Sequence, residues 1–151
     1  MLSLQRSTSE NTDFKNLVVQ LDAHLKILDG DDHEFYAQLN TFESTVDAVI
    51  CYNNQEAVGC GAFKIYNETT IEIKRMYVLP EYRGKGIASK IVNELEVWAT
   101  QLQFSKAILE TGHKQLDAIA LYEKLGYHRM PNYGQYEGVS TSICMDKNLQ
   151  H

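Results

Sequence analysis

The sequence predicts a mixed α/β (α+β) fold, one mixed sheet with helices on both faces, and three observations predict it. The hydrophobic period changes near Asp47: before it, apolar residues recur at helical spacing; after it, they come in short runs. The runs "DAVICYN", "EAVGCGAFKIYN" and "TTIEIKRMYV" are rich in β-branched and aromatic residues and are parted by the polar turns "NNQ" and "NET". They read as consecutive antiparallel strands. From Gly86 onward, helical and strand patterns alternate. The expected order is β-α-α-β-β-β-α-β-α-β-β.

Taken in order, "LSLQR" alternates and predicts a first strand. Phe14, Leu17, Val18, Leu21, Leu25 and Leu28 fall on one helical face, which predicts a helix over 13–28 stopped by Gly30. "DDHEFYAQL" opens a second helix, with Asp31 and Glu34 in capping-box spacing. Pro80 ends the third strand of the antiparallel set. A helix over about 86–103 follows, with Ile87, Ile91, Leu95, Trp98 and Leu102 on one face. "KAILE" is a strand, "QLDAIALYEKLG" a helix closed by Gly126, and "TSICMDK" the final strand. No repeat, linker or low-complexity tract divides the chain, so residues 1–151 are expected to form one domain.

Composition excludes several classes. Apolar residues are 44% and charged residues 23%, which is ordinary globular usage. No apolar run approaches the ~20 residues of a membrane span, and "MLSLQRSTSENTDF" lacks a signal-peptide core. Cys51, Cys60 and Cys144 show no C-x-x-C spacing and read as buried hydrophobes in a reducing compartment, so a cytoplasmic location is expected. The net charge of −6 argues against nucleic acid as partner. The histidines have no metal-ligand spacing, and no metal is expected.

Against that acidic background, Lys74, Arg75, Arg83, Lys85 and Lys90 form a basic island broken only by Glu81. Its centre is "RGKGIA", between a strand and a helix. As a plain turn it would be a solvated surface loop. As an anion cradle, its glycines would let backbone come close to a ligand, and the free N–H groups and dipole of the helix start would favour negative charge. The Ser or Thr of a P-loop is missing, and the near match to G-x-G-x-x-G lacks its βαβ setting and ribose-binding acid.

"V-x-P-x-x-R-G-K-G-I-A" after a strand, followed some thirty residues on by "A-I-A-L-Y-E-K-L-G-Y", resembles the GNAT acetyltransferase superfamily. Its Arg/Gln-x-x-Gly-x-Gly/Ala signature is met by Arg83, Gly86 and Ala88. The resemblance spans at least Thr70 to Tyr127 and implies a GNAT-like acyl-CoA N-acyltransferase fold with acetyl-CoA as donor. It implies that the CoA pyrophosphate lies on Arg83, Gly84, Lys85, Gly86, Ile87 and Ala88. The strand backbone at Met76, Tyr77 and Val78 would hold the pantetheine arm as an added strand.

The resemblance also implies catalytic roles. Glu72 matches a position that often supplies a general base, although a Glu in an alternating strand also reads as a solvated outward residue. Tyr122 matches the residue that donates to the departing CoA sulfur, against a plain reading as a half-buried helix aromatic. Where the family often has Asn, Gln115 stands, one methylene longer. The acceptor pocket is expected from "DGDDHEFY", with Asp29, Asp31, Asp32 and Glu34, and from "YHRMPNYGQYEG", with Tyr133 and Tyr136. The expected activity is transfer of an acetyl group to a primary amine of a small molecule by direct attack, without a cysteine relay. An acyl-CoA-binding regulatory module without turnover and a protein or peptide N-acetyltransferase stay open, as does a homodimer.

Overall fold

A computed structural model describes residues 1–29 and 44–149. Its elements are β1 (Leu2–Thr8), α1 (Thr12–Asp29), β2 (Asp47–Asn53), β3 (Glu56–Ile65), β4 (Thr70–Val78), α2 (Ile87–Gln101), β5 (Lys106–Gly112), α3 (Leu116–Lys124), β6 (His128–Met130) and β7 (Ser142–Asn148). Single 3-10 turns at Pro80–Tyr82 and Gly134–Tyr136 complete the order. The second expected helix, with Gly30, Asp31, Asp32 and Glu34, lies outside the described residues.

The strands make one seven-stranded sheet in the order β1-β2-β3-β4-β5-β7-β6. Every neighbouring pair is antiparallel except β4 with β5, which run parallel. The last strand in sequence inserts between β5 and β6, a placement no local pattern announces.

α1 starts where the Asn11 side chain accepts from the Phe14 N–H at 3.1 Å, a side-chain cap one residue before the expected start. Its apolar face, Phe14, Leu17 and Leu21, is buried. α2 buries Ile87, Ile91, Val92, Leu95 and Ala99 and rests on β3, where glycines admit it. A Cβ on Gly61 would stand 2.9 Å from Ile91 Cγ2 and 2.4 Å from Met76 Sδ. This helix ends two residues before the expected boundary, and Leu102 is exposed instead of continuing the buried face. The cause is a Schellman closure: Gln103 takes φ +78°, its N–H reaches the Thr100 carbonyl, and the Phe104 N–H reaches that of Ala99. α3 closes in the same way on Gly126 (φ +98°), as its glycine announces.

One irregularity shapes the molecule. Cys60 pairs with Tyr77 and Ala62 with Lys74, so Gly61 opposes both Arg75 and Met76. This β-bulge, with Arg75 at φ +60°, bends β4. β4 pairs with β5 only from Thr70–Ile73 to Lys106–Leu109, although β4 runs on to Val78 and β5 to Gly112. Beyond that point the two strands part and a cleft opens between them.

Candidate active site

The cleft measures about 870 Å³. Its walls carry Glu72, Met76, Tyr77, Val78, Arg83, Gly84, Gly86, Ile87, Ala88, Gln115 and Tyr122, so every residue predicted for catalysis or CoA binding lines it except Lys85. Lys85 instead lays its ammonium over the Tyr82 ring, 5.3 Å from the centroid.

At the mouth, Gly84 and Gly86 hold φ +77° and +79°. A Cβ at either would meet nothing within 4 Å, so glycine is demanded by backbone conformation and not by space. Gly86 is the N-cap of α2, and the first helical bond runs from the Lys90 N–H to its carbonyl. The N–H groups of Ile87, Ala88 and Ser89 therefore precede the helical ladder, as the first amides of any helix do. Arg83 donates from Nε to the Val78 carbonyl at 2.9 Å and stacks its guanidinium 5.5 Å from the Tyr77 ring. That bond ties the loop back to the end of β4.

Tyr122 is 6% exposed and packs edge-on against Tyr127 at 5.7 Å. Burial pushes its phenol well above the usual tyrosine range, which keeps it a neutral O–H donor. Tyr127, beside it, is spent on structure: its hydroxyl donates to Glu96 at 2.8 Å, and Lys147 donates to the same carboxylate at 2.9 Å.

Glu72 is buried, at 2% exposure, and not a solvated outward residue. It lines the floor with its carboxylate already engaged. Tyr133 donates to Oε2 at 2.5 Å, while Lys64 and Lys74 stand 3.8 and 3.9 Å from Oε1. Burial, then the Glu72 charge, drive the Tyr133 phenol far above its usual range and keep it a donor. Tyr133 and Tyr136 stack edge-on at 5.6 Å, and Tyr136 is fully buried. Tyr133 thus acts on the cleft through Glu72, while Tyr136 lines it directly. Gln115 is the residue before α3, with no side-chain capping bond.

The basic island divides. Arg83 and Lys85 belong to the loop. Lys74 and Arg75 turn inward, with side chains 4% and 10% exposed. Arg75 pairs with Asp22 of α1 at 2.9 Å. Lys74 joins Glu72 and Tyr136 on the floor, where Glu110 of β5 also acts on it. Sequence reading missed Lys74 and Glu110 as cleft residues. The available signal was a charge inside an otherwise apolar strand, as in "KAILETG". The three cysteines are buried and free; burial raises Cys60 to about 12 and Cys144 to about 11, which leaves both as thiols. Among the described residues, no group of His, Cys, Asp and Glu could hold a metal ion, and no helix is long and apolar enough to cross a membrane.

A parted parallel strand pair, a glycine-shaped helix start and a buried phenol thus line one cleft. The profile of the acetyltransferase (GNAT) family matches residues 17–127, and the chain belongs to that family and is an acyltransferase enzyme. It is 32% identical to an IAA acetyltransferase of Azospirillum brasilense over 135 residues, 88% of each chain. Among solved structures, a proposed acyl-CoA N-acyltransferase of Klebsiella pneumoniae superposes with TM-score 0.84 at 32% identity over 99% of both chains. A GNAT acetyltransferase of Elizabethkingia anophelis, solved with acetyl-CoA bound, shares the fold at TM-score 0.70 and 16% identity, covering 98% of each chain.

Proposed function

We propose that residues 1–151 act as one N-acetyltransferase domain that moves an acetyl group from acetyl-CoA to the primary amine of a small molecule. The observation that carries this is convergence: the amides at the start of α2, the freed edge of β4 at Met76–Val78 and the Tyr122 phenol line one cleft. The acetyl-CoA in the Elizabethkingia anophelis protein and the CoA in a Thermoplasma acidophilum relative of the same fold support the donor. We infer a cytoplasmic location, which suits a CoA thioester as substrate and three free thiols.

In this reading the amides of Gly84 to Ala88, with Arg83 and Lys85, hold the pyrophosphate, and Gln115 touches the CoA arm. Met76, Tyr77 and Val78 give it backbone partners and polarise the thioester carbonyl. The amine attacks that carbonyl carbon, the C–S bond breaks, and the electron pair leaves on sulfur. An alkylammonium has a pKa near ~10, so only about 0.1% is free amine at pH 7 and its proton must be removed. Glu72, with the Tyr133 hydroxyl on it, takes that proton directly or through water.

Tyr122 donates to the departing sulfur. A thiol pKa of about 8.5 lies at least 1.5 units below that of a phenol, so full transfer would cost roughly 2 kcal/mol or more. Burial of Tyr122 widens the gap. Its role is therefore a hydrogen bond to the thiolate and not complete protonation. Mixing the protein with acetyl-CoA and a panel of amino acids, polyamines and aminoglycosides, while following free thiol, tests the reading. Amine-dependent thiol release is expected; CoA binding without release across the panel would overturn it.

A further inference from the structure

We infer that the acetyl acceptor carries a carboxylate of its own and that Lys74 receives it, so the acceptor class is amino acids and related amino-carboxylates. This rests on the acetyltransferase reading above and names its substrate.

Lys74 rises from β4 into the floor of the cleft with its side chain 4% exposed. An ammonium has three donors, and its bonds to oxygen anions ordinarily measure about 2.7–2.9 Å. Among the described residues, its ammonium reaches Tyr136 Oη at 3.4 Å and Glu72 Oε1 at 3.9 Å, both long. Glu72 is a divided partner, since Lys64 stands 3.8 Å from the same oxygen and Tyr133 occupies the other. A buried charge held this loosely is costly. Burial accordingly pulls Lys74 below the usual lysine range, with Glu72 opposing. A carboxylate in the cleft would give the ammonium a close partner.

The surroundings select the anion. Glu72 and Glu110 both act on Lys74, so a dianion such as phosphate would meet two carboxylates, whereas a monoanion meets less repulsion. The same two acids attract the ammonium of an amino acid. Lys74 is two residues from Met76, at most roughly 7 Å along the strand. A carboxylate on Lys74 would thus lie on the same stretch of β4 as a thioester held at Met76, with Glu72 and Glu110 beside it to draw the amine.

Calorimetry on the full chain saturated with CoA tests this without needing turnover. The probes are N-acetyl derivatives of the common amino acids and the matching N-acetylamines that lack the carboxylate. At least one N-acetylamino acid should bind about tenfold tighter than its decarboxylated match, roughly 1.4 kcal/mol. Lys74→Met should erase that difference and Lys74→Arg should keep part of it, with CoA affinity unchanged in both. Equal binding of matched pairs, a preference that survives Lys74→Met, or no probe binding while CoA binds would each overturn the inference. If Lys74→Met fails to fold, the wild-type preference and the Arg variant decide. Failure to bind CoA at all would sink the acetyltransferase reading, and this inference with it.

Discussion

At the mouth of the cleft, Gly84 and Gly86 hold left-handed backbone and present the first amides of α2. At its floor, Glu72, Lys74, Glu110 and Tyr133 converge as side chains, with the Tyr133–Glu72 bond spanning 61 residues of sequence. The mouth is made by neighbours in the chain and the floor by parts that only the completed sheet assembles. Glycine permits the left-handed turns, and near neighbours tie the mouth down: Arg83 donates to the Val78 carbonyl and the Lys90 N–H to that of Gly86. The floor depends on where β5 and the turn at Gly134–Tyr136 come to rest. In the proposed reading, donor recognition is built into a turn, while acceptor recognition is distributed over the tertiary structure.

The sharpest way to break the donor end is Gly84→Val together with Gly86→Val. Each left-handed position costs a side-chain-bearing residue about 1–2 kcal/mol, so the pair should raise the dissociation constant for CoA about 30- to 1000-fold. Calorimetry would read it, and unchanged affinity would mean the loop shape is not what CoA recognises. The mutation should leave the floor intact.

Tyr122→Phe should come next. Losing a hydrogen bond to a developing thiolate, worth about 1.5–3 kcal/mol, lowers kcat roughly 10- to 100-fold with the KM for acetyl-CoA little changed. Because burial raises the Tyr122 phenol above its ordinary value, the wild-type rate should climb with pH as the amine loses its proton. No decline caused by Tyr122 should set in below about pH 10. Full turnover by the Phe variant would remove Tyr122 from the chemistry.

Tyr133→Phe probes the floor with the smallest change. It takes one donor from the buried Glu72 carboxylate. About 1.5 kcal/mol of stability should be lost, roughly 3–6 °C in Tm, with a several-fold rise in the amine KM. CoA binding should stay as it was; a loss there would show the two ends to be coupled.

The same division explains what the sequence disclosed. The strands, three of the helices, the glycine loop and Tyr122 were legible because period, turn chemistry and motif spacing are local signals. α3 was readable to its end because Gly126 marks it, whereas the end of α2 was overshot because Gln103 fills the left-handed position. Lys74 and Arg75 read as part of the cationic loop because linear proximity was the only guide. Lys74 shares the buried face of Glu72 two residues earlier, and Arg75 sits in the bulge against Gly61, which no single-strand pattern encodes. Glu72 was named as a candidate base, but a solvated outward reading stayed open beside it because its cover, Tyr133, comes from a remote turn.

The parted strands have a consequence for how this enzyme exchanges hydrogen with its solvent. Along β4 beyond Ile73, Lys74, Tyr77 and Val78 keep antiparallel partners on β3 on either side of the bulge, while the edge directed away from β3 has no β5 partner. One strand should therefore show two populations of amide protons, slow and fast, alternating along its length. With the donor along β4 as proposed, the fast set should turn slow while the other keeps its rate, so an occupied cleft should announce itself as a change of rhythm along one strand.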